Sequence, residues 1–105
     1  MPIVPRGFVN QAELDQAIRR AEDALRADVV HIRYGLREDW SGSGAVFFRV
    51  LLTDNASERR HLPEVARRVA LRIDQEVQPD NFGLQSYFNF RSESEQEKLR
   101  EPAWA

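Results

Sequence analysis

Hydrophobic positions along the chain change their period several times, and each change predicts a new element. Between residues 11 and 27 they recur every three or four positions, which predicts an amphipathic helix. These positions are Leu14, Ala17, Ile18, Ala21 and Leu25. Asn10 and Glu13 have the spacing of a capping box at the start of this helix, and Phe8 is placed to anchor the chain there.

The next two segments alternate hydrophobic and polar residues with a period of two, which is typical of strands with one buried face. Residues 29–37 predict a first strand, and residues 45–53 predict a second. Gly42 and Gly44 can take the positive φ of a tight turn, so we expect a β-hairpin with its tip at 40–44. The predicted helix-facing positions are Val30, Ile32, Tyr34 and Leu36 on the first strand, and Val46, Phe48, Val50 and Leu52 on the second.

The second half of the chain repeats the change from helical to strand spacing. Pro63 suits the first turn of a second helix, which should end near Gln78, before a proline. Its apolar stripe consists of Leu62, Val65, Val69, Ile73 and Val77. Residues 84–91 then alternate again and predict a third strand.

The last residues predict a short helix over 95–100, because Ser92 and Ser94 each precede a glutamate by three positions and either could cap it. Pro102 should stop this tail helix. The predicted fold class is therefore α+β, a two-layer α-β-β-α-β sandwich in which two helices cover one face of a three-stranded sheet. The second strand is the most apolar, which favours it at the centre; the third could lie beside either of the others.

A chain of 105 residues is the size of one domain. We expect residues 1–105 to form a single α+β domain, with an N-terminal arm over 1–9 and a C-terminal tail over 92–105. No apolar run reaches the roughly 18 residues that span a bilayer, and the opening residues lack the apolar segment of a signal peptide. The predicted location is cytoplasmic, with no membrane contact.

Composition argues against several kinds of chemistry. The chain has no cysteine, which excludes disulfides, thiolate metal sites and cysteine nucleophiles. His31 and His61 lack the spacing of metal ligands, and the carboxylates Glu22–Asp23 and Glu38–Asp39 are typical of a solvated helix face and a hairpin end. We therefore predict no metal, no cofactor and no catalytic residue, and an enzyme is the least favoured class.

The sheet face opposite the helices carries an unusual mixture of aromatic and arginine side chains. Such residues dominate the centres of protein interfaces, so we predict that this face binds a partner protein or a second copy of the chain. In one alternative the tail covers the face, with Leu99 and Trp104 on Phe47 and Leu51. In another, Phe47 and Tyr87 stack on the bases of single-stranded RNA, which the net charge of −2 disfavours.

The predicted partner-binding residues combine this face with Trp40, which stands beside the flexible Ser-Gly-Ser-Gly loop. They are Arg33, Arg37, Trp40, Phe47, Arg49, Leu51, Tyr87 and Arg91. Arg68 and Arg72 are four positions apart on the second helix and predict a secondary basic patch, either as a solvated face or as a docking site for an acidic partner.

Two resemblances accompany these patterns. The segments "EDWSGSGAVFFRVLL" and "YFNFRSESEQEKLREPAWA" resemble those of small bacterial proteins without assigned activity, which implies a bacterial origin. The element order resembles RNA-binding KH-type folds in outline, but residues 53–63 lack the Gly-x-x-Gly loop that such folds need. The predicted function is a small non-catalytic protein-interaction module; the alternative is an RNA-binding accessory domain.

Overall fold

The computed structural model describes residues 11–105, which form an α+β fold of three α-helices and a three-stranded mixed sheet. The elements are α1 (Gln11–Ala24), β1 (Val29–Glu38), β2 (Gly44–Leu52), α2 (Leu62–Val77), β3 (Gln85–Ser92) and α3 (Glu93–Leu99), with short 3₁₀ helices at Pro79–Phe82 and Pro102–Trp104. The predicted α+β class is confirmed. The Asn10 cap, the Phe8 anchor and the 1–9 arm lie outside the described residues.

The strand order of the sheet is β1-β2-β3. β1 pairs with β2 antiparallel through the predicted hairpin, and β3 pairs with β2 parallel. The prediction that the most apolar strand is central is confirmed. The sequence does not decide which strand β3 lies beside, and the structure places it beside β2. A parallel pair needs a crossover connection, which here contains α2.

The core joins both long helices to one face of the sheet. Leu14, Ile18 and Ala21 of α1 share a single hydrophobic cluster with Val69 and Ile73 of α2. Ile32, Val46, Phe48, Val50 and Leu52 supply the strand side of that cluster. Phe48 has no exposed surface and stacks on Phe88 at a centroid distance of 5.1 Å, so the predicted inner face of β2 is confirmed.

The first residues of β1 depart from simple alternation. Val29 pairs with Leu52 and His31 pairs with Leu51, so Val30 is an extra residue in the ladder. Val29 is 3% exposed, whereas Val30 is 42% exposed. The prediction that Val30 faces the helices is wrong, because a β-bulge at this point places the preceding valine in the core instead.

The tail helix begins at Glu93, two residues earlier than predicted, and has a complete capping box. Ser92 Oγ accepts a hydrogen bond from Glu95 N, and Glu95 Oε1 accepts one from Ser92 N, each 3.1 Å long. Ser94, the other candidate cap, instead donates from its N and Oγ to Asp54 at 3.0 and 2.6 Å. α3 is therefore tied to the β2–α2 connection. No helix within residues 11–105 is both long enough and apolar enough to cross a membrane.

Candidate functional site

The register of the strands determines which side chains are neighbours on the sheet face opposite the helices. Arg33 lies opposite Arg49, and Phe47 lies opposite Tyr87 on the neighbouring strand. Leu51 is paired with Arg91 in the same way. The alternation read from the sequence therefore does bring these predicted site residues together, and the structure divides them into two halves.

The first half lies under the C-terminal tail. Arg49 donates from Nε to the main-chain oxygen of Ala103, and Arg33 donates from Nε to that of Ala105, each at 2.8 Å. The 3₁₀ helix that contains Ala103 contacts β2, and Leu51 is buried on this face. With Arg91, which also contacts the tail, four of the predicted partner-binding residues are thus covered by the chain itself.

Trp104 is the anchor of this tail. Its side chain is 7% exposed, and the Arg91 guanidinium carbon lies 4.4 Å from the centroid of its ring. The same guanidinium pairs with Glu101 at 2.6 Å. His31 Nε2 is 2.5 Å from the main-chain oxygen of Trp104, and because a carbonyl only accepts, Nε2 carries the hydrogen. Leu99, the other residue expected to cover the face, is 57% exposed.

The second half is a group of four predicted residues at the hairpin end, Arg37, Trp40, Phe47 and Tyr87, which we call the hairpin-end cluster. The rings of Phe47 and Tyr87 are stacked with centroids 5.0 Å apart, and Arg37 lies over the Phe47 ring at 3.8 Å. Trp40 leans on Tyr87 with centroids 5.1 Å apart and planes inclined by 55°. Trp40 nevertheless remains 83% exposed.

Asp39 fixes the loop that presents this cluster. Its Oδ1 accepts hydrogen bonds from Ser41 N, Ser41 Oγ and Ser43 N at 2.9, 2.7 and 3.1 Å. Its Oδ2 accepts one from the Tyr87 hydroxyl at 2.8 Å. Gly42 takes a φ of 85°, which side-chain-bearing residues rarely adopt, so the turn depends on glycine there. Asp39 is not among the predicted site residues, although an aspartate with serines two and four positions later is the sequence signal of such a turn.

These hydrogen bonds favour the ionised carboxylate. The bonds from the Ser41 and Tyr87 hydroxyls, followed by those from the main-chain donors, lower the pKa of Asp39 to about 2. The hydrogen bond between Tyr87 and Asp39 in turn raises the pKa of Tyr87. Because the folded-state pKa of Asp39 lies below its unfolded value of about 3.9, its stabilisation is complete above that pH and is lost as the pH falls towards the folded-state value. The hairpin end should loosen only in strong acid.

The first prediction concerns this carboxylate. An NMR titration should give Asp39 a pKa of about 2, and Tyr87→Phe should raise that pKa because it removes one donor to the charged form. Asp54 is the control: its pKa is lowered by the Ser94 hydroxyl and N–H, so Tyr87→Phe should leave it unchanged. An Asp39 pKa near the ordinary value would show that the four hydrogen bonds do not form in solution.

The secondary basic patch on α2 consists of arginines with partners. Arg68 pairs with Asp28, and Arg72 pairs with Glu76 at 3.3 Å. Glu76 also accepts from Arg20 at 3.0 Å, which links α2 to α1. Both predicted patch residues are thus paired with carboxylates on the helix surface, and their use as a docking site stays a prediction.

The remaining candidate chemistry is sparse. His61 lies at the start of α2, where Nδ1 donates to the main-chain oxygen of Asn55 at 2.9 Å. Within residues 11–105, no group of three or more His, Cys, Asp or Glu residues is placed to hold a metal ion. Glu22 accepts a hydrogen bond from the main-chain N–H of Ile32 at 2.7 Å and so covers part of the β1 edge.

The scan of protein-family models, the search of curated proteins and the search of solved structures each found no match to the chain. Any functional conclusion therefore depends on the geometry of this sheet face.

Proposed function

We propose that the protein is a non-catalytic interaction module that docks a partner protein through the hairpin-end cluster. The observation that carries this proposal is Trp40, which is 83% exposed although its ring leans on Tyr87. Tryptophan, tyrosine and arginine are the residues that most often dominate the binding energy of protein interfaces. Three of the four cluster residues belong to these types.

The cluster is ordered before any partner arrives. Asp39 accepts hydrogen bonds both from the turn that carries Trp40 and from the Tyr87 hydroxyl. The loop and the ring that the Trp40 indole contacts are therefore both held in place. Binding normally costs about 0.5–1.5 kcal/mol for each mobile side chain that becomes fixed. A pre-positioned tryptophan avoids much of that cost, which favours a binding role over an incidental exposure.

The chemistry of the cluster indicates what the partner should offer. Arg37 is exposed and stacks on Phe47, so a cation lies at the edge of an aromatic surface. A complementary partner has an apolar recess for the Trp40 indole with a carboxylate beside it for Arg37. Such a pairing buries the ring and desolvates the ion pair at the same time.

The RNA-binding alternative receives less support from this geometry. Bases stack on open aromatic faces. Phe47 is buried between Arg37 at 3.8 Å and Tyr87 at 5.0 Å, and Tyr87 also contacts Trp40. Within the hairpin-end cluster, only Trp40 offers an open ring, so the cluster has no two-base platform without rearrangement.

The second prediction tests this proposal. The full chain, immobilised, should capture a protein from an extract of its source cells, and Trp40→Ala should lose that capture. With the purified partner, Trp40→Ala should weaken binding by about 30-fold or more, the loss expected of a central interface tryptophan. Leu71→Ala is the matched control, because Leu71 is also a large exposed apolar residue but lies on α2.

Three results would count against the proposal. Equal capture by the wild type and Trp40→Ala would remove the cluster from the interface. Equal losses in Trp40→Ala and Leu71→Ala would indicate non-specific adhesion. Binding of a single-stranded oligouridine that weakens steeply with salt would favour the RNA-binding alternative, since phosphate contacts release counterions.

A further inference from the structure

The C-terminal tail is held in the way that a peptide ligand is held. Side chains of all three strands contact it through hydrogen bonds or an ion pair: His31 and Arg33 of β1, Arg49 of β2 and Arg91 of β3. The tail in turn supplies main-chain carbonyls, the Glu101 carboxylate and the Trp104 indole. We call the receiving surface, made of His31, Arg33, Arg49, Leu51 and Arg91, the tail groove.

The tail groove needs an occupant. Arg33 and Arg49 are directly opposite each other on adjacent strands, where like charges destabilise a sheet. The two carbonyls that they bind, those of Ala105 and Ala103, offset part of that repulsion. Glu101 and the Trp104 indole, which are three positions apart in the tail, both contact the Arg91 guanidinium. Recognition is therefore local to residues 101–105.

The tail can be separated from the rest of the fold at a short hinge. Arg100 has a φ of 51°, in the left-handed region that disfavours side-chain-bearing residues, and Glu101 is extended. Asp54 and its own capping box fix α3 without the tail, and a side-chain hydrogen bond from Gln96 of α3 to the main-chain oxygen of Glu101 crosses the hinge at 2.8 Å. Short strained hinges promote the exchange of a terminal segment between identical chains.

We propose that the tail groove is a peptide-binding site for a carboxylate followed three residues later by an indole, and that its occupant in trans is the tail of a second copy. The same contacts are available to an identical tail, so reciprocal exchange fills both grooves and closes a symmetric dimer. The tail of the same chain competes with an effective concentration of about 1 mM, so the wild type exchanges mainly at high local concentration. This inference does not depend on the hairpin-end cluster.

The third prediction uses two full-length variants that are each unable to fill their own groove. Trp104→Ala keeps the groove but loses the indole, and Arg91→Ala keeps the tail but loses the side chain that binds it. Each alone should sediment as the 12.2 kDa monomer. Mixed in equal amounts, they should form a species of twice that mass, because the free tail of one fits the vacant groove of the other.

In the control mixture, Trp104→Ala is combined with a double variant that carries both Arg91→Ala and Trp104→Ala. Neither chain in that mixture has an intact tail. We expect at least a tenfold loss of dimer in that mixture. Circular dichroism establishes that every variant is folded, and an acetylated Leu-Arg-Glu-Pro-Ala-Trp-Ala peptide titrated into Trp104→Ala is a second measurement. If folded variants stay monomeric when mixed and the peptide does not bind at about 1 mM, the inference is wrong.

Discussion

Replacement of Phe48 by alanine should lower the free energy of unfolding by about 3–5 kcal/mol, the cost of removing a fully buried phenylalanine. The side chain has no exposed surface and stacks on Phe88 at the centre of the core. Because a domain of this size has only about 5–15 kcal/mol of stability, the midpoint of urea unfolding should fall markedly.

The matched control is Leu71→Ala, which removes an exposed apolar side chain from α2. Surface substitutions of this kind change stability by no more than about 0.5 kcal/mol. A Phe48→Ala chain with the same urea midpoint as Leu71→Ala would mean that β2 presents its other face to the helices. Such a result would reverse the assignment of every side chain on the open face, including the hairpin-end cluster.

Much of the fold follows from the sequence because its strands alternate strongly. On β2, a one-residue shift would expose Phe48 and bury Arg49, and Arg49 distinguishes the faces because Phe47 and Leu51 on the open face are also apolar and buried. At the start of β1 the same reasoning fails, because Val29 and Val30 are the same residue type. Periodicity cannot tell which of two adjacent valines is buried when a bulge inserts one residue.

The candidate site was predictable to a similar extent. The alternation of each strand places Phe47 and Tyr87 on the same face of the sheet. Their pairing then follows once β3 lies beside β2. The sequence leaves the position of the tail open because two of its contacts use its own main-chain carbonyls, which every residue has, as acceptors for Arg33 and Arg49. The Arg33–Ala105 contact also spans 72 positions, far beyond any local pattern.

Asp39 shows a different limit of sequence reasoning. Its neighbour Glu38 is also acidic, and the pair looks like an ordinary solvated hairpin end. The serines of the turn are a local signal for one half of its role, but only the three-dimensional arrangement shows that Asp39 also accepts from Tyr87 on the third strand. A residue that connects a turn to a distant aromatic cannot be identified until the strand order is known.

The tail divides the predicted interface into a closed half and an open half, and Trp104 is the residue that keeps the first half closed. Burial of a large apolar side chain contributes roughly 1.5–3 kcal/mol, and a cation–π contact with Arg91 contributes about 0.5–2 kcal/mol more. Trp104→Ala should therefore lower stability by about 2–5 kcal/mol. It should also expose Leu51, which is buried on the sheet face.

Urea unfolding measures the first effect, and binding of a hydrophobic dye to the folded variant measures the second. Leu99→Ala is the matched control, because Leu99 is the last residue of α3, next to the tail, and is 57% exposed. We expect it to change neither stability nor dye binding. Equal behaviour of the two variants would mean that the tail is not docked in solution, and all eight predicted residues would then form one continuous binding face. A loss confined to Trp104→Ala would leave only the hairpin-end cluster open to a partner.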